Sequence, residues 1–134
     1  MIHKKIPLSC EAYPEKNDVY LETYVSTVEG YYPRPAVLII PGGGYECVCW
    51  YSEGEPAAAC FMAHGYNAFV LCYSVGKSRT YPAQLCEASL AIAHIKSHAK
   101  EYNIDPDRVF VAGFSSGGHV SGSLGLFWHR HEVY

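Results

Sequence analysis

No run of eighteen or more apolar residues occurs anywhere in the chain, so no membrane-spanning helix is expected. The first residues, Met1-Ile-His-Lys-Lys-Ile-Pro, are basic but lead into no apolar segment, so they do not read as a secretory signal. Charge is scarce: charged residues make up 17% of the sequence and the net charge is −3. Without a basic excess there is no electrostatic footprint for nucleic acid. The six cysteines, at positions 10, 47, 49, 60, 72 and 86, show no zinc-like pairing. Thiols spread through strand and helix patterns read as reduced, which suits a cytoplasmic protein. Cys47-x-Cys49 could bind a metal or oxidise, but two loop thiols is the plainer reading. No repeat, linker or low-complexity stretch appears, so the 134 residues form one domain or part of one, long enough to bury one core.

What is present is organised around Val109-Phe-Val-Ala-Gly-Phe-Ser-Ser-Gly-Gly118. A short β-branched and aromatic run ends in Gly-Phe-Ser-Ser-Gly, and a helical segment follows. This is the G-x-S-x-G pattern with a strand before it and a helix after. A serine held at the tip of such a turn needs a strained backbone, usually with φ above zero. Gly113 and Gly117 are then expected to lie against the serine's own side chain, where a Cβ would collide. Ser115 is the candidate nucleophile. The alternative is a glycine-rich turn in which Ser115 only caps the helix.

A second stretch bears on that choice. Ala36-Val-Leu-Ile-Ile40 reads as a buried strand, and Pro41-Gly-Gly-Gly-Tyr45 follows at once. Glycines at a strand's carboxyl end let backbone N–H groups approach a ligand closely. Acyl transfer needs such donors, because the tetrahedral intermediate places negative charge on the former carbonyl oxygen. In the arrangement that goes with G-x-S-x-G, one donor is the N–H after the nucleophile, here Ser116. The other comes from the loop after the third strand, here Gly43 or Gly44. A phosphate loop is disfavoured, since no Lys-Ser/Thr follows the glycines.

Pro-Gly-Gly-Gly-Tyr at 41–45, Glu-Gly-Glu-Pro at 53–56, Gly-Tyr-Asn-Ala-Phe-Val-Leu at 65–71, Tyr-Ser-Val at 73–75, Asn-Ile-Asp-Pro-Asp-Arg-Val at 103–109 and Gly-Phe-Ser-Ser-Gly-Gly-His at 113–119 come in order. Together they resemble the small bacterial acetyl-esterase or acetylxylan-esterase-like α/β-hydrolases, over residues from about 30 to about 128. Many of those proteins carry His where Pro41 sits and Ala where Ser116 sits; neither change removes a backbone donor. The resemblance implies the N-terminal half of an α/β-hydrolase fold: a mostly parallel sheet with helices on both faces, strand order 1-2-4-3-5, and the C-terminal strands missing. It also implies an acyl-enzyme on Ser115 and small esters, above all acetylated sugars or xylan fragments, as substrates, with no metal or organic cofactor. The same fold hosts lipase-like and peptidase-like substrates. The family's acid and catalytic histidine lie well after the nucleophile, whereas 19 residues follow Ser115 here. The two expectations are therefore a serine esterase whose acid and base lie outside this stretch, and a truncated, inactive fragment serving at most as a binding or assembly module.

In chain order, residues 2–8 and 19–25 alternate apolar and polar and predict two half-exposed strands joined by a turn at 14–18. After the 36–40 strand, Cys47 to Tyr51 predict a loop over the candidate site. A helix is expected from between Ser52 and Pro56 to His64, with Ser52 and Glu55 as a capping box, Pro56 in the first turn and Gly65 as the stop. Residues 68–73 are continuously apolar, as a parallel strand buried on both faces should be. A polar loop at 74–81 precedes a helix from Pro82 to Tyr102, with Leu85, Ala88, Ile92, Ile95, Ala99 and Tyr102 as its apolar stripe. Asp105 and Asp107 read as turn residues rather than triad acids. The last helix is expected from Ser116 to about Trp128.

This order places both glycine motifs at the carboxyl ends of neighbouring parallel strands, where open α/β sheets hold ligands. Strand 109–113 becomes an apolar edge, so self-association through it is expected. A monodisperse, stable monomer in sedimentation would contradict that. None of the seven histidines is assigned as base. His119 is expected to pack or hydrogen-bond beneath the serine turn, His64, His94 and His98 to lie on helix surfaces, and His3 to be a terminal residue. His129 and His131 read as part of a solvated tail.

Overall fold

A computed structural model describes residues 1–8, 18–27, 30, 32–77 and 80–130. Cys10, His131 and most of the 14–18 turn fall outside them. The strands are β1 (Lys5–Pro7), β2 (Tyr20–Tyr24), β3 (Arg34–Ile40), β4 (Asn67–Cys72) and β5 (Ile104–Gly113), and the helices are α1 (Glu55–Ala63), α2 (Ala83–Ser97) and α3 (Ser116–Phe127). The sheet order is β1-β2-β4-β3-β5, as the resemblance implied. β3 pairs in parallel with β4 and β5, while β2 pairs antiparallel with β1 and β4, so β2 alone among the five strands runs against the rest of a mixed sheet. Among the described residues no helix is long and apolar enough to cross a membrane.

Strand alternation divides the core. Leu38 and Ile40 on β3, with Phe69 and Leu71 on β4, pack against Leu85, Ala88, Ala91 and Ile95 of α2 and Val120 and Leu124 of α3. Val37, Ile39, Ala68 and Val70 point the other way and meet Ala58 and Phe61 of α1. Helices thus cover both faces, and the continuous apolar runs of β3 and β4 are the sequence signature of that double burial.

β2 is not half-exposed. It lies between β1 and β4, and Leu21, Glu22, Thr23 and Tyr24 are all buried. The two polar residues are tolerated because His3 Nε2 lies 2.6 Å from Glu22 Oε1 and the Thr23 hydroxyl donates to Ile2 O at 3.2 Å. His3, expected as a terminal residue, also stacks on Tyr24 at 4.6 Å.

The capping box is absent: a π-helical turn, Trp50–Gly54, runs straight into α1. Ser52 therefore sits inside a helical turn, the N-cap is Gly54, and no side chain caps it. Pro56 does occupy the first turn of α1. α2 stops at Ser97 rather than Tyr102, followed by turns that end at Asn103 with φ +49°. The apolar stripe survives this, because the turns fold Tyr102 back into the core. His94 and His98 are half-buried and stacked at 4.0 Å, with His94 Nε2 3.0 Å from the Tyr102 hydroxyl. His64 is exposed, as expected.

Asp105 behaves as a turn residue even though β5 formally contains it. Its carboxylate accepts from Asp107 N at 2.9 Å and Arg108 Nε at 3.0 Å, where the register with β3 breaks. β5 ends the sheet, and Phe110 on it is 51% exposed.

Candidate active site

Ser115 stands between β5 and α3 with φ +52° and ψ −117°. That conformation costs a non-glycine residue roughly 1–3 kcal/mol and persists only where its surroundings impose it. The constraint comes from above and below. Phe114 N donates to Ile40 O at 3.0 Å, Gly117 N to Phe114 O at 2.8 Å, and His119 N to Ser115 O at 3.0 Å. The glycines serve this turn differently from the expectation. A Cβ on Gly113 would meet Gly117 O at 2.2 Å, and one on Gly117 would meet Ile40 O at 1.9 Å. Both collisions are with backbone, not with the serine side chain. The residue that does press on Ser115 is Gly42, whose Cβ would lie 3.0 Å from Ser115 Cβ.

The glycine turn after β3 is held by its carbonyls. Gly43 O accepts from Glu46 N at 3.1 Å and Cys47 N at 3.2 Å, and Gly42 O accepts from Cys49 N at 2.8 Å. Gly43 and Gly44 take φ of +140° and +65°, which L side chains rarely adopt. Gly42 N–H is engaged, donating to Glu53 Oε2 at 2.7 Å. Among the described residues, the N–H groups of Gly43, Gly44 and Ser116 donate to no protein acceptor. These amides follow the carboxyl ends of the adjacent strands β3 and β5.

Two supports escaped the sequence reading. Glu53, in the π-helical turn, fixes Gly42 through a charge-assisted bond. Tyr73, buried just after β4, donates its hydroxyl to Pro41 O at 2.6 Å and receives the Ser116 hydroxyl at 3.0 Å. One phenol therefore ties both strand tips together, and burial pushes its pKa up, so it stays a donor. Behind it, Glu87 of α2 accepts from Ser74 N at 2.8 Å and from the Ser74 hydroxyl. Only the Glu-Gly-Glu-Pro motif hinted at Glu53, and nothing periodic marks Tyr73.

Among the described residues no histidine hydrogen-bonds the serine. Among the described residues Ser115 Oγ has no hydrogen-bond partner, and His119 turns instead to Tyr45, 2.5 Å from Nδ1 to Oη, on the exposed side of the turn rather than beneath it. Cys47 and Cys49 are free thiols, the first exposed. Partial burial and the neighbouring Cys47 push the Cys49 thiol up.

The chain is similar to known proteins. The endo-1,4-beta-xylanase B of Butyrivibrio fibrisolvens is 44% identical over 96 residues, which is 69% of this chain and 15% of that protein. The acetylxylan esterase of Xylanibacter ruminicola is 36% identical over 87 residues, 64% of this chain and 18% of its own length. The solved structure of MGS-M1, an alpha/beta hydrolase enzyme from a Medee basin deep-sea metagenome library, superposes with a TM-score of 0.84 at 39% identity; it matches 92% of this chain and 50% of that one. The chain thus spans a small part of the curated relatives and half of the solved one. The overall fold is shared with an α/β-hydrolase, and the BD-FAE family model matches residues 18–133. From the buried strands to the helix behind Ser115, the chain belongs to the BD-FAE family of α/β-hydrolases.

Proposed function

We propose that the chain carries the nucleophile and oxyanion half of a serine carboxylester hydrolase that deacetylates sugar or xylan-type esters. The observation that carries this reading is Ser115 on a strained turn, with unengaged amides on the two adjoining strand tips. Membership of a family whose relatives include an acetylxylan esterase supports the substrate class. In this scheme Ser115 Oγ attacks the ester carbonyl, and its proton passes to a base. The carbonyl oxygen gains the negative charge and takes hydrogen bonds from Ser116 N–H and from Gly43 or Gly44 N–H. The C–O bond to the sugar then breaks, the alcohol leaves with a proton, and water releases acetate from the acyl-serine.

The base and its orienting acid come from outside the described residues. With no base beside it, a serine hydroxyl keeps its proton at neutral pH and attacks slowly. The bare Ser115 hydroxyl therefore favours a second reading, an inactive fragment that binds or assembles without turning over. An oxyanion site and binding alone retain a residual rate of roughly 10³–10⁴ over water. A fluorophosphonate probe separates the readings. Under the first, the folded chain is labelled, and Ser115→Ala abolishes the label. Folded protein that neither takes the label nor hydrolyses p-nitrophenyl acetate would favour the second.

A further inference from the structure

Three side chains meet at the same end of the sheet as Ser115 without a part in acyl transfer. Tyr45 follows the glycine turn, Tyr81 lies just before α2, and His119 is one helical turn past Ser115 in α3. The Tyr45 ring meets the imidazole edge-on at 5.9 Å and 87°, and the Tyr81 ring lies tilted against it at 5.2 Å and 39°. Tyr45 also abuts Tyr73 at 6.3 Å, and Gly76 N holds its carbonyl at 2.7 Å, so the cluster stands on a fixed base.

Tyr45 and His119 share one hydrogen bond, between Oη and Nδ1. Burial raises the Tyr45 pKa, so the phenol keeps its hydrogen and can donate it to His119 Nδ1. In that arrangement the imidazole hydrogen sits on Nε2, the nitrogen not used by Tyr45. Both His119 and Tyr81 are exposed, Tyr81 at 40%. The surface beside Ser115 thus offers aromatic faces together with an N–H donor. An acyl chain would call for a closed apolar slot. A sugar ring, apolar on its C–H face and polar around its rim, matches rings that carry polar tips.

We propose that Tyr81, His119 and Tyr45 form a recognition subsite for a pyranose ring. Tyr81 stacks on the C–H face, His119 Nε2–H donates to a ring oxygen, and Tyr45 fixes the imidazole tautomer. The proposal leans on the ester-hydrolase reading for the class of ligand, and its test is independent of turnover.

The probe is xylobiose, which has no ester to cleave, observed by saturation-transfer NMR with the 134-residue chain. Saturation should reach the ring protons. Tyr81→Ala should weaken binding about tenfold, and Tyr81→Phe should stay within about twofold of the parent, since the stacking face is kept. Nitrogen-15 shifts of His119 should show Nε2 protonated, with the tautomer population mixed in Tyr45→Phe. Equal saturation in the parent and Tyr81→Ala, at unchanged circular dichroism, would overturn the subsite, as would no xylobiose binding at all. Fluorophosphonate labelling is read separately. Label lost with Tyr81-dependent binding kept removes only the esterase, whereas label kept without Tyr81 dependence removes only the subsite.

Discussion

Gly117→Ala is expected to leave little folded protein, with a loss of stability of at least about 3 kcal/mol. The added methyl would stand 1.9 Å from Ile40 O and 2.5 Å from Pro41 O. Both atoms belong to the backbone of the β3 tip, so no rotamer change relieves the overlap. Relief needs the first turn of α3 to move off the strand. That would pull Gly117 N from Phe114 O and disturb the Ser116 hydroxyl held by Tyr73. A typical domain has only about 5–15 kcal/mol in hand. Gly122→Ala gives the contrast, because a Cβ there meets nothing within 4 Å. With helix propensity improved by up to about 1 kcal/mol, that variant should be as stable as the parent or slightly more so. Urea midpoints measure both. Equal midpoints for the two variants would show that the strand and helix do not meet as closely as described.

The same contact explains what could be read from the sequence. β3, β4 and the turn at Ser115 were legible because each is a local event: a continuous apolar run, or glycines at fixed offsets from a serine. The positive φ of Ser115 follows from that spacing, and so does the strand order once the family resemblance is admitted. The burial of β2 was not legible. Tyr20-Leu-Glu-Thr-Tyr24 has the polar content of a half-exposed strand, and the partner that permits a buried Glu22 is His3, 19 positions away. The end of α2 is hidden for a related reason: Ala99 and Tyr102 keep the helical period, although successive turns deliver Tyr102 to the core. At the site, the backbone geometry of Gly43 and Gly44 was foreseeable, whereas the side chains that hold it were not. Glu53 reaches Gly42 across 11 residues and Tyr73 reaches Pro41 across 32, and neither bond leaves a periodic trace.

Alkaline solution should unfold the protein cooperatively between about pH 10 and pH 12, because the fold holds phenols where they cannot ionise. Burial, assisted by Cys72 and Glu22, pushes Tyr20 up to about 12. Burial with Glu101 pushes Tyr102 up to about 12 as well. Burial raises Tyr24 still further, and it raises Tyr45 and Tyr73 in the same direction. An unfolded chain releases these protons near pH 10. Between there and the folded values the unfolded state binds fewer protons, so stability falls as pH rises. The contribution is complete below pH 10 and gone above about 12. For Tyr102, 1% exposed, it is on the order of 2–3 kcal/mol. The half-buried Cys72 thiol, raised by burial, adds a loss of the same sign. Five phenols moving together are enough to cancel the stability of an ordinary domain. Absorbance at 295 nm and circular dichroism, followed on one sample through the titration, should break at the same pH, with phenolate appearing steeply as the helices are lost. A broad titration centred near 10 with the dichroism intact would mean that water reaches these rings in the folded state. The double burial of the sheet would then be wrong, and with it the rigid strand tips that hold Ser115 in its turn.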